Sequence, residues 1–233
     1  WPNLSEPLLL LGETYLLSGD KGRAESKFKL AYEHSLFKDN IAFSVSSIYR
    51  QQGKAQEALD WVNRAGKSYK REQIRASLLY SLGRIDDAID VAKTACSLNP
   101  KAAMPHIYMG LATTEKAMLA AAESHFKKAI ELEPQLATPH FYLGNLYQNQ
   151  GKLELSEKEY RKAVDLDPSF SAAYNNLGIV LLRLGKSQEA IESFNRAIEI
   201  APNFWASYGN LGLIFARRSM WKKAISLFRK VIS

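Results

Sequence analysis

Four histidines, one cysteine and scattered acidic residues are the side chains that could perform catalysis or bind a metal. His106 and His140 are 34 residues apart and occupy equivalent places in a repeating sequence, and we expect both to be packed and partly exposed. Helices in successive repeats pack on the order of 10 Å apart, so the two imidazoles could not both reach one zinc ion at about 2 Å. Cys96 is the only cysteine and is expected to be a buried small hydrophobe rather than a redox thiol.

No catalytic motif accompanies these residues. The sequence has neither a G-x-G-x-x-G nor a G-x-x-x-x-G-K-[ST] phosphate loop, and it lacks H-E-x-x-H and G-x-S-x-G. Glu154, Glu157 and Glu159 are expected on a solvated helix face, and nothing marks any of them as half of an acid–base pair. The chain is therefore predicted not to be an enzyme, and to require no cofactor and no metal.

The dominant feature of the sequence is a period of 34 residues. Four prolines at this spacing each end the same kind of phrase: Pro100, Pro134, Pro168 and Pro202. A fixed period of this size predicts stacked copies of one supersecondary unit. We expect two antiparallel helices in each unit. A left-handed glycine ends the first helix, as at Gly53, Gly83, Gly151 and Gly185, and the proline follows the second.

Small and aromatic residues recur at fixed positions when each unit is numbered from the third residue after its proline. Position 8 is small almost throughout, position 20 is mostly alanine, position 24 is mostly aromatic and position 27 is almost always alanine. Small residues let the two helix backbones approach closely, and the ring at position 24 fills the space beside them. The sequence therefore predicts tightly packed helix pairs.

These residues resemble the tetratricopeptide repeat (TPR) family. The pattern is carried by Leu143-Gly144, Tyr147, Tyr160, Ala163 and Pro168, and again by Tyr174, Leu177-Gly178, Ala190, Phe194, Ala197 and Pro202. The resemblance implies an all-α, right-handed superhelical solenoid of tandem antiparallel helix pairs, forming one domain over residues 1–233. Its seven units are 5–38, 39–68, 69–102, 103–136, 137–170, 171–204 and 205–233.

The two ends of the chain suggest a segment of a longer protein. Pro2 occupies the terminal proline position of a preceding repeat, and no polar capping helix follows the seventh unit. Solenoids need their terminal apolar faces covered. We therefore expect at least one more repeat upstream.

The net charge of +7 is unevenly distributed. The seventh unit contains no acidic residue and six basic ones: Arg217, Arg218, Lys222, Lys223, Arg229 and Lys230. A lesser cluster, comprising Lys67, Lys70, Arg71 and Arg75, lies where the second and third units meet. The first cluster could dock a protein, nucleic acid or lipid headgroup, or it could pair with acidic residues further along a longer chain.

The resemblance also implies a concave groove lined by the first helix of each unit. Its expected residues are Tyr108, Phe141, Tyr142, Asn145, Asn149, Asn175, Asn176, Arg183, Asn210, Leu213 and Arg217. An asparagine offers a donor and an acceptor together and can pair with any peptide backbone, and the rings would form apolar pockets. We expect Asn145, Asn176 and Asn210 to be the principal contacts. Alternatively, the amides bond to neighbouring helices or water, and the rings pack between first helices.

Three functions are compatible with these features. The leading interpretation is a non-catalytic protein–protein interaction scaffold that binds an extended peptide or a partner helix. The second is a substrate-recruiting TPR module of a larger enzyme such as a glycosyltransferase, and the third is binding of an anionic ligand or nucleic acid by the basic seventh unit. Nucleic acid is disfavoured because few aromatic residues interleave with the cations. A homo-oligomer through the uncapped ends or the groove is a further alternative, and no apolar run has the roughly 18 residues of a membrane span.

Overall fold

The computed structural model describes residues 4–232, apart from the side chain of residue 232, so Pro2 lies outside the described residues. Within this range the chain forms fourteen α-helices and no β-strand. The helices are α1 Ser5–Leu17, α2 Lys21–His34, α3 Lys38–Gln51, α4 Ala55–Val62, α5 Tyr69–Ser81, α6 Ile85–Leu98, α7 Met104–Glu115, α8 Leu119–Leu132, α9 Ala137–Asn149, α10 Leu153–Leu166, α11 Ser171–Arg183, α12 Ser187–Ile200, α13 Trp205–Arg217 and α14 Trp221–Ile232. The predicted all-α fold of tandem antiparallel helix pairs is confirmed.

The helices form two compact units, one ending at Glu115 and the other beginning at Lys116. In the first unit α1 pairs with α2, α3 with α4 and α5 with α6, and α7 packs on α5 and α6. In the second unit α9 pairs with α10, α11 with α12 and α13 with α14, and α8 packs on α9. First helices of successive pairs also touch, since α11 contacts both α9 and α13.

The turn inside each helix pair has the left-handed conformation that the sequence predicts. Gly53, Gly83, Gly151 and Gly185 have φ values of 71°, 72°, 72° and 79°. A residue without a Cβ adopts this conformation at little steric cost, which is why glycine recurs there. Ser219 occupies the same place between α13 and α14 at φ 58° and is one of two non-glycine residues with positive φ in the described chain.

Close packing between the paired helices confirms the predicted roles of positions 8 and 24. A Cβ on Gly178 would lie 2.7 Å from the Phe194 ring, and one on Gly144 would lie 2.7 Å from the Tyr160 ring. Both residues are 0% exposed, and their rings belong to an apolar cluster in the second compact unit. In the first compact unit Phe28 takes this place. Its ring centroid lies 5.7 Å from that of Tyr49 and 6.2 Å from that of Trp61.

Three ionisable side chains differ from the sequence-based expectation. Glu157 does not lie on a solvated face; it is 9% exposed, and Lys186 and Arg161 donate hydrogen bonds to its carboxylate. His140 is buried rather than partly exposed, and its Nδ1 lies 2.7 Å from Glu159 Oε2. Cys96 is only half-buried; this burial raises the pKa of the thiol, which disfavours the reactive thiolate.

Candidate functional site

In the second compact unit, the first helices of three successive pairs, α9, α11 and α13, present a continuous polar surface, which we call the amide face. Most of its residues are three, four or seven apart on α9, α11 and α13, and this spacing places them on one side of each helix, with Asn175 adjacent to Asn176. Its members are Asn145, Asn149, Asn175, Asn176, Arg183, Asn210, Leu213 and Arg217. Because α11 touches both α9 and α13, the three rows of side chains are adjacent.

A chain of hydrogen bonds links the asparagines across these three helices. The amide of Asn210 donates to Asn175 Oδ1 at 3.1 Å, and Asn175 donates in turn to Asn176 Oδ1 at 3.1 Å. Asn176 then donates to Asn145 Oδ1 at 2.9 Å. The structure therefore brings together the three asparagines that the sequence singled out, and joins them through Asn175, which is 5% exposed.

Two hydroxyl groups complete the network from the buried side. The Tyr160 hydroxyl donates to Asn145 Oδ1 at 2.6 Å and also lies 2.8 Å from Gln148 Oε1. The Ser207 hydroxyl donates to Asn175 Oδ1 at 3.0 Å. Burial raises the pKa of Tyr160, although hydrogen bonds from Asn176 and Ser156 act in the opposite direction. The phenol is therefore protonated at neutral pH and acts as a donor.

The amide face retains hydrogen-bonding groups that this network does not use. Asn145 Nδ2 and Asn210 Oδ1 have no partner within the described chain, and the exposed side chain of Asn149 makes no hydrogen bond there either. The unused set thus contains a donor on α9, an acceptor on α13 and a complete amide at the end of α9. This is the mixture of groups that a peptide backbone requires.

The predicted aromatic residues are half-buried and pack within the protein. Phe141 lies 4.7 Å from the Phe170 ring, and Tyr142 stacks on Phe126 at 5.8 Å. Tyr108 is on α7 in the first compact unit, where it packs against an apolar cluster that includes Met109. Phe141 and Tyr142, both half-buried, thus border the amide face on α9, whereas a place for Tyr108 in the same surface stays a prediction.

Three exposed side chains lie beyond the hydrogen-bonded network, towards the C-terminal ends of α11 and α13. Leu213 is 52% exposed, and Arg183 and Arg217 are exposed, with no ion pair to any described residue. The two arginines occupy the same position in successive repeats. They add positive charge beside the amides.

The six cations of the seventh unit, which we call the basic patch, are all exposed: Arg217, Arg218, Lys222, Lys223, Arg229 and Lys230. None forms an ion pair with another residue in the described range, although Lys223 lies 5.3 Å from the Phe215 ring and Lys230 lies 5.4 Å from the Tyr208 ring. Whether the basic patch binds an anion stays a prediction.

The described residues contain neither a cluster of metal-binding side chains nor a membrane-spanning helix. In that part of the chain, no three His, Cys, Asp or Glu side chains come close enough to hold a metal ion. None of the helices between residues 4 and 232 is both long and apolar enough to cross a membrane.

Sequence reasoning missed the two hydroxyls that support the network. Tyr160 was identified only as the space-filling ring at position 24, and Ser207 was not identified at all. Tyrosine stands at this position where four other repeats have phenylalanine, at Phe28, Phe126, Phe194 and Phe228. The hydroxyl of Tyr160 was the signal of this network in the sequence, because a buried phenol normally finds a hydrogen-bond partner.

Comparisons with known proteins match the repeats and the fold. A family model described as tetratricopeptide repeat matches residues 141–203, and a second with the same description matches residues 73–102. No curated protein sequence matches the chain.

Solved structures of other repeat proteins share the architecture. A TPR protein from Parabacteroides merdae is 22% identical with a TM-score of 0.69, over 97% of this chain and 91% of that one. A chain of the APC/C hetero-tetramer Cut9–Hcn1 is 17% identical with a TM-score of 0.76, over 97% of this chain and 45% of that one. YrrB, described as a TPR protein with an unusual peptide-binding site, is 23% identical with a TM-score of 0.56, over 70% of this chain and 84% of that one. These identities show a likeness of fold alone. The two family matches show that the chain contains tetratricopeptide repeats, at residues 73–102 and 141–203, within its array of tandem helix pairs.

Proposed function

We propose that this chain is a non-catalytic protein-interaction scaffold that binds an extended peptide across the amide face. The observation that carries the proposal is the unused donor of Asn145 and the unused acceptor of Asn210, at the two ends of one hydrogen-bonded network. The network fixes the orientation of both amides before a ligand arrives. Preorganised polar groups bind more tightly because less conformational freedom is lost on association.

The spacing of the helices suits an extended chain. Adjacent first helices lie on the order of 10 Å apart, and an extended peptide advances about 3.3 Å per residue. A peptide that crosses α9, α11 and α13 would therefore present about every third residue to a new helix. Its backbone would pair with the amides, and its apolar side chains would contact Leu213 and the half-buried Phe141 and Tyr142.

Charge narrows the class of peptide. Arg183 and Arg217 belong to the amide face and form no ion pair with a described residue, so a peptide that carries an acidic side chain would supply the missing partner. YrrB, which has the same fold, is described as having a peptide-binding site, and this supports a peptide as the ligand.

A peptide selection on the intact chain tests the proposal. Peptides selected from a random library should bind the wild-type chain, and those selected should be enriched in acidic residues. The triple variant Asn149→Ala, Arg183→Ala and Leu213→Ala should weaken binding at least about tenfold in fluorescence anisotropy, because exposed interface contacts are removed. These three side chains are exposed, so the fold should be unaffected.

A matched variant on the second helices controls for surface changes. Lys162 and Asn195 are exposed on α10 and α12, and the double variant Lys162→Ala and Asn195→Ala should bind the selected peptides as the wild type does. Equal binding by the triple variant and the wild type would place the peptide site elsewhere. Failure to select any peptide would contradict the proposal itself.

A further inference from the structure

The loop between α2 and α3 exposes two adjacent large apolar side chains. Leu36 is 94% exposed and Phe37 is 69% exposed. At the same two repeat positions the later junctions have a proline followed by a polar residue: Pro100-Lys101, Pro134-Gln135, Pro168-Ser169 and Pro202-Asn203. The pair Leu36-Phe37, which we call the apolar tip, is thus apolar where these four later junctions are not.

Hydrogen bonds attach the apolar tip to the next loop of the same edge, between α4 and α5. The Tyr32 hydroxyl donates to the Arg64 carbonyl at 3.1 Å, and the Gly66 amide donates to Asp39 Oδ1 at 2.9 Å. These two bonds flank the tip on both sides in sequence. The two loops therefore form one surface of the first compact unit.

Four exposed cations lie on or beside the two loops of this edge. Lys38 follows the tip directly and lies 5.6 Å from the Tyr32 ring, while Arg64 lies 4.2 Å from the Trp61 ring. Lys67 and Lys70 are on and just beyond the α4–α5 loop. All four are exposed, and none forms an ion pair with a described residue. The lesser basic cluster of the sequence is thereby divided, since Arg71 and Arg75 turn inward to the buried Glu72.

We propose that this edge of the first compact unit docks on an anionic lipid surface. The apolar tip enters the boundary between headgroups and acyl chains, and Lys38, Arg64, Lys67 and Lys70 contact the lipid phosphates. A bilayer is favoured over a protein partner because Leu36 and Phe37 are both largely exposed, at 94% and 69%. Side chains exposed to this extent need no matching cavity in a bilayer, whereas a protein would have to supply one.

Vesicle sedimentation with the full chain tests the proposal. The chain should bind vesicles of phosphatidylcholine with phosphatidylserine, and bind pure phosphatidylcholine more weakly. The double variant Leu36→Ser and Phe37→Ser should lower the partition coefficient about tenfold or more, because the apolar side chains no longer enter the bilayer. Raising the salt concentration should weaken binding by screening the four cations.

Two matched variants separate this edge from other surfaces. Leu17 is 74% exposed in the same unit, so Leu17→Ser controls for the loss of an exposed apolar side chain. The pair Lys38→Glu and Lys67→Glu should reduce binding, whereas Lys222→Glu with Lys223→Glu makes the same charge change in the basic patch and should leave binding unchanged. Circular dichroism would verify that each variant is folded.

Insertion itself has a direct signal. A Phe37→Trp variant should show a blue-shifted emission with anionic vesicles, and brominated lipid should quench it more than it quenches the wild-type protein. The proposal would be overturned by any of three results: no binding of the wild type to anionic vesicles, unchanged binding of the Leu36→Ser and Phe37→Ser variant, or loss of binding only when the basic patch is changed.

Discussion

At the scale of single residues, the asparagines of the amide face fall into two groups. Asn175 is 5% exposed and makes three hydrogen bonds, to Asn176, Ser207 and Asn210. Asn149 is exposed and makes none within the described chain. The same residue type on the same face therefore stabilises the fold in one case and remains open to a ligand in the other.

This difference gives a prediction for stability. Asn175→Ala removes the acceptor of two donors in a buried setting, and we expect it to lower the free energy of unfolding by about 1–3 kcal/mol. Asn149→Ala should change it by less than about 0.5 kcal/mol, as exposed substitutions usually do. Urea denaturation followed by circular dichroism measures both. A neutral Asn175→Ala would show that the network contributes no stability, and the amides would then have to be explained by binding alone.

The helical period predicted which helix face the asparagines occupy but not what they bond to. Position within a repeat determines the direction of a side chain, so Asn145, Asn176 and Asn210 were expected together on one surface, and they are. Their mutual hydrogen bonds depend on rotamers and on distances between helices, which periodicity does not contain. The Tyr160 hydroxyl likewise reaches Asn145 only because its ring is held against Gly144.

At the scale of helices, an ionic network connects α10 to α12. Lys186, immediately before α12, donates to Glu157 at 2.8 Å, and Arg161 bridges Glu157 on its own helix and Glu189 on α12. Burial raises the pKa of Glu157, but the hydrogen bonds from Lys186 and Arg161 outweigh it, so the pKa of this carboxyl lies below its ordinary value. The network therefore stabilises the packing of α10 against the next helix pair.

A lowered carboxyl pKa fixes the sign of the pH dependence. The stabilisation is fully present above the ordinary pKa of about 4.5 and is lost as the pH falls through the lowered value. Glu157→Gln should reduce the free energy of unfolding by about 1–2 kcal/mol at neutral pH, a modest value because both cations are partly exposed. The deficit should shrink on acidification. Thermal denaturation over a pH series measures this.

Glu154 provides the comparison on the same helix. Its side chain is exposed and makes no hydrogen bond within the described chain, so Glu154→Gln should leave stability nearly unchanged at every pH. A Glu157→Gln deficit that stays constant as the pH falls would contradict an ionic origin. The sequence does not predict this network, because the 34-residue period describes the apolar positions and gives Glu157 no sign of burial.

At the scale of the whole molecule, stability is divided among helix pairs that contact their neighbours within each compact unit. The repeat pattern predicted this organisation from composition at a few positions: small residues at 8, 20 and 27, a ring at 24, and glycine in the turn. Those positions are constrained by backbone approach, so the sequence had little freedom there. The pattern did not predict the grouping of helices into two compact units, one ending at Glu115 and the other beginning at Lys116, because every repeat has similar packing residues.

A substitution at one packing position should therefore act locally. A Cβ on Gly178 would lie 2.7–2.9 Å from three atoms of the Phe194 ring, and this ring is 0% exposed and has no free space in which to move. Gly178→Ala should lower the free energy of unfolding by about 1–3 kcal/mol. Gly209→Ala is the matched control: nothing lies within 4 Å of its Cβ, and alanine favours the helix by about 0.5–1 kcal/mol.

Hydrogen exchange resolves where the effect is felt. In a stack coupled through nearest neighbours, Gly178→Ala should speed amide exchange most in α11 and α12, less in α10 and α13, and least in α1–α6. Gly209→Ala should slow exchange in α13 or leave it unchanged. An equal acceleration in all described helices for Gly178→Ala would instead show that the chain opens as one cooperative unit, because local strain would then be transmitted to every repeat.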